Sequence, residues 1–174
     1  MASTFADRML RAARLDVRLF EEVEADRGAT TQALGVVVLS SIAAGLGLGQ
    51  GIGGSVAGIV VSLLGWYVWA FLTYWIGTRL LPEPATRADH GELLRTIGFA
   101  ATPGLIRVLG VIPGLRPLVF LVAAVWMLIA GVIAVRQALD YRSTGRAVAV
   151  VIVGWLVQWL LVAILVALLP SRAA

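Results

Sequence analysis

The chain has 174 residues, 60% of them hydrophobic and 14% charged, with a net charge of +4; its mean hydropathy is +0.93 and its pI about 10.6. A soluble globule of this length cannot hide that much apolar surface, and the arginines behind the high pI are scattered at the ends of apolar segments instead of forming a nucleic-acid-binding patch. With no cysteine and a single histidine, His90, the chain excludes disulfides and thiolate metal sites, and no metal or other cofactor is expected.

Residues 5–25 read as one or two short amphipathic helices lying along the membrane surface, with Leu15, Leu19 and Val23 four apart and Phe20 beside them. Arg11, Arg14 and Arg18 could meet anionic head groups, but Glu21, Glu22 and Glu24 follow at once, which favours a docking or solvated helix over a lipid sensor. Acids and arginines interrupt residues 1–27 and no apolar core precedes Thr31, so a cleaved signal peptide is not expected.

No charge occurs between Gly28 and Thr78, a window long enough for two crossings and a turn. Thr30 or Thr31 can cap a first span ending near Leu48; residues 49–54 turn the chain; a second span covers residues 55–81. Trp66, Tyr67, Trp69, Tyr74 and Trp75 suit interfacial anchoring and helix packing. Leu81-Pro82-Glu83-Pro84 ends that span, and a polar loop carries Arg87, Asp89 and His90. Residues 93–112 are ambiguous, because Arg95 and Arg107 leave 11 uncharged residues between them with Pro103-Gly104 in the middle. Length alone favours a re-entrant or interfacial helix there. After Pro113, Gly114 and Pro117 come a span over residues 118–135, a connector over 136–146 and a last span over 147–169.

The expected fold is therefore all-α, a polytopic transmembrane helix bundle with five spans, or four plus a re-entrant segment. A cytoplasmic amphipathic segment occupies residues 1–29, the membrane domain 30–170 and a short tail 171–174. With five spans, Arg8, Arg11, Arg14, Arg18, Arg27, Arg79, Arg87, Arg95, Arg136, Arg142 and Arg146 lie inside, against three arginines outside. The four-span topology gives the same ratio, so the N-terminus is cytoplasmic either way and composition leaves the C-terminus open.

Polar groups at membrane depth are the candidate functional residues, since a central arginine costs about 2.5–3.5 kcal/mol on insertion scales. They are Arg95, Thr102, Arg107 and Gln158. Arg95, Phe99, Thr102 and Ile106 share one α-helical stripe, and Arg95 near the interface can snorkel. Gln158 suits an interhelical hydrogen bond, with a transport path as the weaker reading. Arg136 and Asp140, one turn apart, are placed to pair. Gly49-Gln50-Gly51-Ile52-Gly53-Gly54 has the spacing of a dinucleotide fingerprint without its strand–helix context; with Gly45, Gly47 and Gly58 it reads as close helix packing. No catalytic constellation occurs in a credible context, so the chain is not expected to be an enzyme.

Gly98-Phe99-Ala100-Ala101-Thr102-Pro103 resembles the Gly-Tyr-x-x-x-Pro signature of the Yip family, the Rab- or Ypt-interacting membrane proteins, with phenylalanine in place of tyrosine. The stretches Arg14-Leu15-Asp16-Val17-Arg18-Leu19-Phe20-Glu21-Glu22-Val23 and Ala134-Val135-Arg136-Gln137-Ala138-Leu139 fit the layout of its short bacterial branch, a likeness covering about residues 15–169. The resemblance implies five spans, a cytoplasmic N-terminus, an external C-terminus and a third segment that crosses despite its arginines. For eukaryotic members alone it implies vesicle traffic with prenylated small GTPases, and this chain has neither their long N-terminal region nor their Asp-Leu-Tyr-Gly-Pro motif. Its arginine-only, alanine-rich composition points to a GC-rich bacterial genome, and the expected location is the cell membrane. The function expected is a non-enzymatic membrane scaffold or adaptor, whose partners are the lipid bilayer and a membrane protein or second copy; the alternative is a small transporter or lipid-translocating protein.

Overall fold

The computed structural model describes residues 3–50 and 52–168, without the side chains of residues 52, 53, 161, 162 and 165–168. Every regular element among them is helical: α1 (Phe5–Ala13), α2 (Val17–Ala25), α3 (Ala29–Leu48), α4 (Ile52–Trp75), α5 (His90–Ala100), α6 (Arg116–Ala138) and α7 (Thr144–Leu168). α4 runs on into a π turn, Ile76–Leu80, and α5 into a 3-10 segment, Thr102–Val111. Four stretches are long and apolar enough to cross a membrane: Ala29–Leu48, Gly54–Leu80, His90–Val111 and Arg116–Ala138. α7 is apolar as well over Thr144–Leu160. Val61, Leu64, Leu121, Leu156 and Trp159 are 62–71% exposed on the outer faces, a belt suited to hydrocarbon and not to water.

The third segment is the hub of the bundle, with 56% of its apolar window buried against 11% for the second. It runs beside α3 in the same direction over the whole length of that helix, placing Gly98 against Ala33, Gly104 against Ser40 and Gly110 against Gly47. A Cβ at Gly98 would lie 2.6 Å from that of Ala33, and one at Gly47 would collide with the Arg107 carbonyl oxygen. The length objection to this segment rests on α-helical rise. A 3-10 helix climbs about 2.0 Å per residue instead of 1.5, so α5 and its extension reach about 35 Å. The segment therefore does not turn back: the ends of α4 and α6 meet on one side of the bundle, where the Tyr141 hydroxyl lies 2.9 Å from the Gly77 carbonyl oxygen and 2.7 Å from that of Leu81. Glu83 fastens the same end, accepting from the Arg142 amide at 2.9 Å and pairing with Arg146 at 3.6 Å.

The N-terminal residues form two short helices and take the docking alternative of the expectation. α1 and α2 form a hairpin packed against α5, α6 and the 3-10 segment, with Leu19, Phe20 and Val23 completely buried beside Phe99 and Ala134. The stripe of Leu15, Leu19 and Val23 does not run along one helix, because Leu15 takes a left-handed conformation (φ 61°) and ends α1. The Asp16 amide then closes back on the Arg11 carbonyl at 3.0 Å, a Schellman turn built on leucine. Other boundaries shift for local reasons. Gly28, not a threonine, precedes α3 without a side-chain cap. α4 starts at Ile52 because Gly49, at φ 71°, completes the turn by itself, while Gly51 of the glycine run lies outside the described residues.

Candidate functional site

The third segment begins with a capping box: Asp89 Oδ1 accepts from the Glu92 amide at 2.8 Å and Glu92 Oε2 from the Asp89 amide at 2.7 Å. Its α-helix must stop near Pro103, which has no amide to give the Phe99 carbonyl four residues earlier. The Thr102 hydroxyl takes that carbonyl instead, at 2.7 Å. From there i→i+3 bonding starts with the Gly104 amide on the Ala101 carbonyl at 3.0 Å. Gly98, Phe99, Thr102 and Pro103 are all buried, whereas Ile106 is half-buried and off the expected α-helical stripe because the helix type has changed.

Arg95 does not snorkel. Its side chain is buried, and it donates from Nε to the carbonyls of Val23 (3.0 Å) and Glu24 (3.1 Å) and from Nη2 to Glu24 again. Those are carbonyls of α2's last turn, which have no helical donor and carry the negative end of the helix dipole. The guanidinium thus caps α2 and clamps the hairpin to the bundle. Arg8, also buried, completes the clamp by pairing with Glu22 (3.0 Å) and Asp26 (2.8 Å) and donating to Gln32 at the start of α3 (3.0 Å). Trp126 Nε1 donates to the Ala13 carbonyl at 2.9 Å, and Arg11 pairs with Asp16 (2.8 Å) and Glu22 (2.6 Å).

These contacts set the carboxylates' titration. Hydrogen bonds from Arg11 and Arg8 hold Asp16 and Asp26 below the usual range. Burial acts to raise Glu22, but Ser3, Arg11 and Arg8 outweigh it and the net shift is downward. Glu24 goes the other way, to about 7, through burial first and then the nearby charges of Asp140 and Glu92. Burial likewise raises the Tyr141 hydroxyl to about 12.

Arg107 braces the far half of the bundle, donating from Nε to the Gly104 carbonyl (2.9 Å) and from Nη2 to the Ser40 carbonyl (3.1 Å) and hydroxyl (2.7 Å). It also lines a cavity of about 480 Å³ between α3, α4, the third segment, α6 and α7. Ser40, Ser41, Ser62 and Gln158 supply its other polar side chains, and Trp66, Trp69 and Trp155 its aromatic wall. Gln158 makes no interhelical hydrogen bond among the described residues; it borders this space instead.

Arg136 and Asp140 do not form the ion pair their spacing suggests. α6 ends at Ala138 and Asp140 lies beyond it at φ 53°, so the one-turn geometry is lost. Arg136 donates to the carbonyls of Tyr141 (3.2 Å) and Arg142 (3.4 Å) instead. Sequence reading missed Ser40, Tyr141, Glu83 and Trp126. Only Ser40-Ser41, a polar pair inside an apolar span, carried a readable signal.

Apolar helices of membrane-crossing length around a buried, broken third segment define a polytopic helical membrane protein. The chain belongs to the Yip1 domain family, whose model matches residues 19–169 and so bears out the resemblance seen at residues 98–103. No curated protein and no solved structure matches the chain.

Proposed function

We propose that this protein is a non-enzymatic scaffold or adaptor of a bacterial cell membrane, crossing it five times with the N-terminus cytoplasmic and the C-terminus outside. The observation that carries this reading is the clamped hairpin. Arg95, Arg8 and Trp126 fix α1 and α2 to the bundle end that also gathers the connectors after α4 and α6. An ordered, charged face results, with Arg14, Arg18, Glu21 and Arg27 exposed on it. The same end carries the arginine excess, which supports a cytoplasmic placement. A folded face of this kind suits a membrane-protein partner or a second copy.

Crosslinking in intact membranes, followed by detergent extraction, tests the reading. A reproducible, near-stoichiometric protein partner that is lost on deleting residues 1–26 is the expected result; recovery of the chain with lipids alone would defeat it. A reporter fused after Ala174 tests the span number, an external signal supporting five. The second reading, a small transporter or lipid-translocating protein, is favoured by the cavity at Arg107 and Gln158. Under it Gln158→Leu abolishes flux in reconstituted vesicles, and unchanged flux removes Gln158 from that role.

A further inference from the structure

We propose that the cavity beside Arg107 binds a lipid-like amphiphile, one with an anionic head, carboxylate or phosphate, and an apolar chain. Among the described residues, Arg107 is the one charged side chain lining that space. Among the described residues no carboxylate lies within ion-pair distance of it, and its Nη1 meets no acceptor while Nε and Nη2 are engaged. A guanidinium held among apolar helices without a counter-ion is costly, and the two N–H donors left on Nη1 suit an oxyanion.

The remaining walls say what accompanies that anion. Trp66, Trp69 and Trp155 and the aliphatic lining give an apolar surface too extensive for a free inorganic ion, and about 480 Å³ falls within the usual range of about 300–1,000 Å³ for small-molecule sites. Two glycines supply an independent observation. Gly65 in α4 and Gly131 in α6 both line the cavity, and a Cβ on either would meet nothing within 4 Å. Glycine in a helix interior is unfavourable relative to alanine, and no neighbour requires it at these positions. Gly154 in α7 is the contrast, since a Cβ there would meet the Trp69 ring at 3.0 Å. What Gly65 and Gly131 preserve is the volume itself.

The tryptophans make binding measurable. The full-length protein in zwitterionic phosphatidylcholine nanodiscs is titrated with dibrominated stearate, its uncharged methyl ester and dibrominated phosphatidic acid, and tryptophan quenching is followed. Stearate is expected to quench in a saturable phase, with the ester weaker by about tenfold or more. Gly131→Leu, which fills open space, and Arg107→Gln should each weaken that phase by a similar factor of about ten. A saturable phase with phosphatidic acid as well identifies bilayer phospholipid as a source; one with stearate alone identifies free fatty acid. Quenching that is non-saturable and indifferent to the head group overturns the proposal, and so does a saturable phase that Gly131→Leu leaves intact. Should Arg107→Gln fail to fold, because Arg107 also braces Ser40, the ester comparison and Gly131→Leu still decide. The scaffold reading stands or falls separately, on the crosslinking experiment.

Discussion

Arg95→Leu is expected to loosen the N-terminal hairpin and leave the bundle standing. The substitution removes the donors that satisfy the Val23 and Glu24 carbonyls at the end of α2. Hydrogen bonds with a charged partner contribute about 1.5–3 kcal/mol each; with one carbonyl shared between two nitrogens, the loss comes to about 2–4 kcal/mol. Against this stands the burial of Leu19, Phe20 and Val23, all fully enclosed, which contributes about 1.5–3 kcal/mol per side chain if release exposes them to water. The apolar contribution exceeds the loss, so the hairpin remains docked on average while its opening constant rises about 30- to 1,000-fold. Hydrogen exchange in nanodiscs reads this directly, because local opening sets the exchange of α1 and α2. Protection should fall over residues 5–25 and hold in α3 and α6, with Arg95→Lys intermediate since it keeps the charge on fewer donors. Unchanged protection of residues 5–25, or an equal fall everywhere, would refute the clamp.

Three further outcomes follow from the same geometry. Gly98→Val forces α3 and α5 apart, since its Cβ would lie 2.6 Å from that of Ala33. A cost of about 1–3 kcal/mol is expected, visible as a lower unfolding temperature in detergent and partly recovered by adding Ala33→Gly. Glu24 titrates at about 7 when the hairpin is docked, against the ordinary 4.5. The docked state therefore binds the extra proton between those values, and its stability falls as pH rises from 4.5 to 7 and levels off above. Glu24→Gln should flatten hairpin exchange between pH 5 and pH 8, and an unaltered slope would mean another group is responsible. Asp140 sits at φ 53° without an ion pair among the described residues, so Asp140→Gly should stabilise the end of α6 by up to about 1 kcal/mol. A lower melting temperature would restore the Arg136–Asp140 pairing that spacing alone suggested.

The sequence made the helices that face lipid readable and left the helices that face other helices ambiguous. α6 and its neighbours stand out because their outer faces must be apolar, which is all that hydropathy measures. The third segment misled because its arginines count as barriers only if they meet lipid; Arg95 donates to carbonyls of α2, and Arg107 from Nε and Nη2 to those of Gly104 and Ser40. The hairpin was obscured by a periodicity that crosses the break at Leu15. No linear pattern could announce the cavity, whose polar side chains come from α3, α4, the 3-10 segment and α7.

The motif at residues 98–103 is a device for changing helix type at a chosen depth. Gly98 brings α5 onto Ala33, and Phe99 fills the core beneath the hairpin. Pro103 withholds an amide, and Thr102 satisfies the carbonyl left over. The consequence appears one turn later. In a continued α-helix, residues three apart drift around the axis by about 60° per step, but in a 3-10 helix they stay in line. Gly104, Arg107 and Gly110 are three apart, and all lie against α3, at Ser40, Ser40 and Gly47. The switch thus keeps two glycines at the close contact and holds the guanidinium between them at the cavity's edge. A residue that looks misplaced by hydropathy is placed by the backbone geometry that the preceding six residues impose.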